Sequence, residues 1–322
     1  MEIYDISIIL PCYNAEEYMD QCILSLLNQT KEKIQIILVN DGSTDNSSNI
    51  INHYAEKNAT IVVVNQPNQG LASARIAGYK VARGKYIGWV DADDFVTPEM
   101  YQVLYDLSNN NNAELVYCNY DFYPHEVATK VKWFKDYKGN RDWRFIDKNS
   151  QFWNKLFSKK LLDRVDIISL LEKYGEYSVI LPMLEANRIE NTNRSLYLYR
   201  VGQLSMSGGS YVGKVPHYLK GIETSKHLET MIENTPYFDE LKEYFEYRYI
   251  YTLLLLALVS AKNKDKEHYQ FATDELNRMN YKNNKYINTI IKEHYGRSKS
   301  YVIAKIIPNN YEIACLVTTL LL

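Results

Sequence analysis

Tyr86-Ile-Gly-Trp-Val-Asp-Ala-Asp-Asp94 passes from an unbroken apolar stretch straight into three carboxylates. Residues 86–90 read as a strand, and the acids sit where that strand ends. Carboxylates this close repel one another unless a cation or a basic group offsets them. A divalent ion is the economical answer. Oxygen ligands suit magnesium or manganese, which usually keep open positions for substrate phosphates. The competing reading is an acidic turn that caps the next helix.

Outward from this stretch, residues 6–10, 34–40, 61–65 and 115–120 also read as strands, and residues 17–28, 46–57, 71–82 and 98–109 place apolar side chains at helical spacing. The series is βαβαβαβαβ. It predicts an α/β fold, Rossmann-like, with a mostly parallel sheet flanked by helices. Asp45 is placed to cap the second helix, and Thr97 followed by Pro98 and Glu99 gives a cap, a preset first turn and an acid that suits the helix dipole.

In open α/β sheets ligands gather at the carboxyl ends of the strands, so the residues just after each strand carry the chemistry. After the first comes Pro11-Cys-Tyr-Asn-Ala15, which is neither a GxGxxG turn nor a phosphate loop. Dehydrogenase, ATPase and nucleotidyltransferase readings lose support. After the second, Asp41 stands in Asn40-Asp-Gly-Ser-Thr-Asp45, suited either to a uracil imide and ribose hydroxyls or to a plain turn with a helix cap. After the third, Gln66-Pro-Asn-Gln-Gly-Leu-Ala-Ser-Ala-Arg75 leads a cation onto the next helix, where it meets a phosphate or an acidic partner.

Together these segments resemble glycosyltransferase family 2, inverting enzymes with a GT-A fold. Ser7-Ile-Ile-Leu-Pro-Cys-Tyr-Asn14, Val39-Asn-Asp-Gly-Ser-Thr-Asp45, Asn68-Gln-Gly-Leu-Ala-Ser-Ala-Arg75 and Trp89-Val-Asp-Ala-Asp-Asp94 stand in family order and spacing. The resemblance implies a UDP-sugar donor bound by Pro11, Tyr13, Asn14, Asp41, Gly70, Arg75, Asp91 and Ala92. It also implies manganese or magnesium centred on Asp93, with help from Asp91 or Asp94. Ile76 departs from the pattern, since many relatives carry Asn after the Arg.

Trp153-Asn-Lys-Leu-Phe157 and Tyr197-Leu-Tyr-Arg-Val-Gly202 resemble later family segments. Between them, Gly175-Glu-Tyr-Ser-Val-Ile-Leu-Pro182 stands where relatives usually have Glu-Asp, the Asp being the general base. Tyr177 occupies that position here, and Glu176 is the nearest carboxylate. The implied reaction moves a sugar to a saccharide, free or lipid-linked, during cell-surface polysaccharide synthesis. A phenol is a poor proton acceptor near neutral pH. A second reading therefore stays open, a non-catalytic sugar-nucleotide-binding or assembly subunit.

The 322 residues suffice for one large core plus a subdomain, and a formal net charge of -2 gives no field that favours nucleic acid. Cys12, Cys22, Cys118 and Cys315 lie far apart and read as reduced, buried thiols. Met1-Glu-Ile-Tyr-Asp5 does not resemble a secretory signal, which points to the cytoplasm. The expected organisation is a GT-A domain over 1–214, with donor half 1–120 and acceptor half 121–214, and a helical subdomain over 215–322. Residues 124–147 read as a surface region without clear period. Residues 249–259 and 311–322 are apolar but too short to span a bilayer, which leaves internal packing, a homodimer interface or an in-plane contact on the inner face of the cell membrane.

Overall fold

A continuous apolar strand needs cover on both faces, and the computed structural model, which describes residues 4–124, 146, 150–201, 214–226, 228–287 and 307–321, supplies it. In chain order the first unit contains β1 (Tyr4–Cys12), α1 (Glu16–Leu27), β2 (Ile34–Asp41), α2 (Ser47–Lys57), β3 (Ile61–Gln66), α3 (Leu71–Val81), β4 (Gly84–Trp89), β5 (Phe95–Val96), α4 (Met100–Asn111) and β6 (Leu115–Tyr123). After these come β7 (Lys155–Ser158), α5 (Lys159–Arg164), α6 (Ile167–Tyr174), a 3-10 turn (Gly175–Val179), α7 (Ile180–Glu185) and β8 (Ile189–Arg200). On one face of the sheet Ile6, Ile8 and Leu10 of β1 pack with Met19, Cys22 and Leu26 of α1 and with Met100 and Leu104 of α4. On the other face α3 presses so close at Gly78 that a Cβ there would come 2.4 Å from Ile9 Cγ2.

The sheet is mixed, in the order β3-β2-β1-β4-β7-β6-β8-β5. β3, β2, β1 and β4 run parallel, as the alternation predicts. β7 then enters antiparallel between β4 and β6, so β6 is not a direct neighbour of β4. β6 and β8 are parallel, with register shifts near Asn119, and β5 closes the edge antiparallel to β8.

Helix starts differ from expectation in one place. Asp45 Oδ1 does accept from Ser47 N at 3.0 Å, and its Oδ2 also accepts from Glu16 N at 3.1 Å, joining the starts of α2 and α1. α4 begins only at Met100, however, and the Thr97 hydroxyl makes no cap. The Thr97 carbonyl instead accepts from Met100 N at 3.2 Å and from the Gln29 amide at 2.7 Å, so Pro98 and Glu99 belong to the preceding turn.

The chain separates into two compact units, Met1–Val201 and Gly202–Leu322. Residues 202–213, just ahead of the boundary expected at 214, lie outside the described residues, as does most of 124–147. The second unit is helical: α8 (Val215–Ser225), α9 (Leu228–Ile232), α10 (Phe238–Lys262), α11 (Lys266–Arg278) and α12 (Tyr311–Leu321). α10 is buried on most of its circumference, which is why its sequence shows so little amphipathic pattern. Among the described residues, no helix is long and apolar enough to cross a membrane.

Candidate active site

The ends of β1 and β2 are locked together by short polar side chains. Asn14, at φ 49°, accepts from Thr44 N at 2.8 Å through Oδ1, and its own N–H donates to Ser43 Oγ at 3.2 Å. Pro11 is buried beside them in β1, while the neighbouring Tyr13 ring is 50% exposed. Asp41 ends β2 as a buried carboxylate that organises the turn after β3. Its Oδ1 accepts from Gln69 N at 2.9 Å and from the Gln66 amide at 2.7 Å, and its Oδ2 accepts from Gly70 N at 2.8 Å. The turn comes so near that a Cβ on Gly42, at φ 70°, would stand 2.5 Å from Asn68 N. Gly70 has φ 87°, a conformation that suits glycine alone.

Arg75 lies on the sheet-facing side of α3, one turn before Gly78, and is fully buried. Burial of a guanidinium is tolerable only with compensating charge. Arg75 has two such partners: Nη2 donates to Asp91 Oδ1 at 3.1 Å, and Nη1 is paired with Glu176 Oε1. Its carbon lies 4.8 Å from the centre of the Phe152 ring. Of the two partners foreseen for Arg75, a phosphate or an acid, the structure supplies acids. Glu176 sits in the 3-10 turn after α6 with its side chain 49% exposed, and Tyr177 follows it in the same turn.

The acidic stretch after β4 is divided in its tasks. Asp94 is buried and both its oxygens are taken, Oδ2 by the Tyr197 hydroxyl at 2.7 Å and Oδ1 by Arg200 N at 2.7 Å. It fastens β8 to the turn, so each Asp94 oxygen expected to offer a metal ligand already accepts one hydrogen bond from the protein. Asp91 is engaged by Arg75. The Asp93 side chain is hydrogen-bonded by no other described residue, only by its own backbone, and lies in the field of Arg200, while Ala92 is buried between the two acids. Burial pushes the Asp94 carboxyl up to about 8, with the charges of Asp93 and Asp91 adding to the rise. Burial also lifts Asp91 to about 6 against the opposing pull of Arg75, and it raises Asp93. Among the described residues, no group of three His, Cys, Asp or Glu side chains is placed to hold an ion unaided.

Two residues at this site carry no assigned role in the sequence reading. Tyr197 donates to Asp94 and accepts from Asp91 N at 3.3 Å, and Arg200 Nε donates to the Asp93 carbonyl at 2.8 Å. Both fall within Tyr197-Leu-Tyr-Arg-Val-Gly202, where a cation at the end of an aromatic strand was the available signal.

Comparison with known proteins bears on the family and the fold. The family model described as "Glycosyl transferase family 2" matches residues 7–165. The chain is 35% identical over 231 residues to the uncharacterized glycosyltransferase EpsJ of Bacillus subtilis, a match that covers 67% of this chain and 66% of that relative. It is 33% identical over 217 residues to the glycosyltransferase GlyG of Streptococcus pneumoniae, covering 61% of this chain and 70% of the relative. Among solved structures, residues 1–349 of S. aureus TarS in complex with UDP-GlcNAc share the fold at a TM-score of 0.57 and 19% identity, over 86% of this chain and 92% of that one.

Proposed function

The chain belongs to glycosyltransferase family 2, and from that membership we propose that it transfers a sugar, with inversion, from a UDP-sugar to a saccharide or lipid-linked saccharide during cell-surface polysaccharide synthesis. The observation that carries this reading is the acidic turn after β4 beside the polar turns that follow β1, β2 and β3. The UDP-GlcNAc held by the TarS structure supports a uridine donor. Pro11, Tyr13, Asn14, Asp41 and Gly70 border the nucleoside, and Arg75, Asp91 and Ala92 complete the cleft towards the diphosphate.

The donor set fits magnesium or manganese. Such ions are commonly held by one or two carboxylates together with substrate phosphates and water, rather than by an all-protein cage. Asp93 supplies the uncommitted carboxylate and Asp91 the second. When bound, the metal offsets charge on the departing diphosphate. The acceptor hydroxyl attacks the anomeric carbon from the face opposite the diphosphate, and a base removes its proton. Glu176 is the candidate base, because Arg75 fixes one of its oxygens and the side chain reaches solvent. The reaction takes place on the cytoplasmic side of the membrane, where sugar nucleotides are made.

A panel of UDP- and GDP-sugars incubated with protein and manganese, scored for nucleotide release, tests the proposal. Release of UDP from at least one donor is expected. Tight UDP binding without release from any donor would favour the non-catalytic subunit reading, which Tyr177 at the family position of the base keeps in view.

A further inference from the structure

Two arginines flank the acidic turn, and their surroundings are opposite. Arg75 is fully buried and bracketed by Asp91 and Glu176, so its charge is already answered. Turning it towards a phosphate would leave the more enclosed Asp91 without its cation. Arg200, the last residue of β8, is partly exposed and has no carboxylate within ion-pair distance among the described residues. Its guanidinium is held by neutral groups. Nε donates to the Asp93 carbonyl at 2.8 Å and Nη2 donates to Gln21 Oε1. The carbon lies 4.9 Å from the Tyr18 ring centre, 5.5 Å from Phe95 and 5.2 Å from Tyr123. Nη1 has no hydrogen-bond partner among the described residues. The side chain is therefore held near the Asp93 carboxylate without pairing to it, with one N–H edge open among the described residues.

We infer that Arg200, and not Arg75, is the cation that takes the diphosphate of the donor. The inference rests on the nucleotide-sugar reading above. Its bond to the Asp93 carbonyl sets the guanidinium beside the carboxylate proposed to hold the metal, and a planar fork suits phosphate oxygens. In the transfer, the bond from the anomeric carbon to the diphosphate oxygen breaks and its electron pair passes to that oxygen. The acceptor oxygen forms the new bond to carbon, and its proton goes to the base. Arg200 meets the charge that builds on the leaving oxygen, and being held beforehand it needs no rearrangement to do so. Arg75 instead positions Asp91 and Glu176.

Titration calorimetry with UDP, GDP, uridine and inorganic pyrophosphate, each with manganese and again in chelator, separates these roles. In Arg200→Gln the affinity for UDP and for pyrophosphate should fall by about tenfold or more in both conditions, with uridine unchanged. Arg200→Lys, which keeps the charge but not the fork, should lie between. Gln21→Ala, which removes a tether and no charge, should stay within about twofold of wild type. Unchanged UDP and pyrophosphate affinity in Arg200→Gln would overturn the inference while leaving the donor reading intact. So would an equal loss for uridine, because Arg200 would then only support the fold of the turn. If the wild type binds neither nucleoside diphosphate, the donor reading itself fails and takes the inference with it.

Discussion

Asp93 differs from both neighbouring acids in that no other described residue hydrogen-bonds its side chain. Asp93→Ala should therefore leave the thermal midpoint nearly unchanged but abolish the manganese-dependent part of UDP binding, measured by calorimetry with and without chelator. Equal manganese dependence in variant and wild type would remove Asp93 from the metal site. Glu176 calls for a different measurement, because it both touches Arg75 and faces solvent. Glu176→Gln keeps an oxygen for Arg75 but cannot take up a proton, so turnover should fall by roughly a hundredfold with UDP affinity nearly constant. Full activity in that variant would exclude it as the base. The identity of the acidic cluster was legible in the sequence, since three adjacent acids at a strand end announce themselves. Its division of labour was not, because the partners of Asp91 and Asp94 come from Arg75, Tyr197 and Arg200, the last two more than a hundred residues away.

β7 shows how an element can escape a reading based on local pattern. Its four residues hold no alternation of their own and acquire meaning only by insertion between β4 and β6. β1 to β4 were legible because a doubly covered parallel strand must be apolar throughout. β5 spans two residues and β8 begins Ile189-Glu-Asn-Thr-Asn193, so neither carries an apolar run to be read. β7 also contains a fully buried amine. Lys155 Nζ donates to the Gln151 carbonyl at 2.8 Å and to Asn154 Oδ1 at 2.7 Å, and burial pushes its pKa down to about 7. In the unfolded chain a lysine titrates near ~10.4. Between these two values the unfolded state binds more protons than the folded state, so this group adds stability as pH rises through the window, and below it the cost of the buried charge is fully present. Lys155→Met removes that dependence. Unfolding midpoints compared at pH 7 and pH 9.5 should shift in favour of the wild type, relative to the variant, at the higher pH. A difference between the two proteins that stays constant with pH would show that Lys155 does not titrate in this range.

At the scale of the whole molecule, the chain is two compact units, and the apolar stretches of the second were ambiguous for a physical reason. Hydrophobic residues all around a helix signal burial without saying against what. α10 answers part of that ambiguity: of residues 249–259, all but Tyr251, Thr252 and Leu255 are buried, so packing within the protein accounts for most of the stretch. α12 is different. Ala314 is fully buried on its inner side, whereas Ile313 and Leu316, one helical turn apart, are 45% and 72% exposed. An enzyme proposed to act on a lipid-linked acceptor gains from lying on the bilayer, and two outward aliphatic side chains on a terminal helix suit a shallow contact with the headgroup boundary. Each side chain moved from water into an apolar environment contributes on the order of 1.5–3 kcal/mol if fully buried, and less at the exposures seen here. Replacing both with serine should lower vesicle affinity by about tenfold. Because both positions face solvent, the thermal midpoint of the Ile313→Ser, Leu316→Ser protein should stay close to wild type. Co-sedimentation with vesicles of phosphatidylglycerol and phosphatidylcholine measures the difference. Equal sedimentation of the two proteins would show that this face of α12 is not the contact, and failure of the wild type to sediment would end the membrane reading altogether.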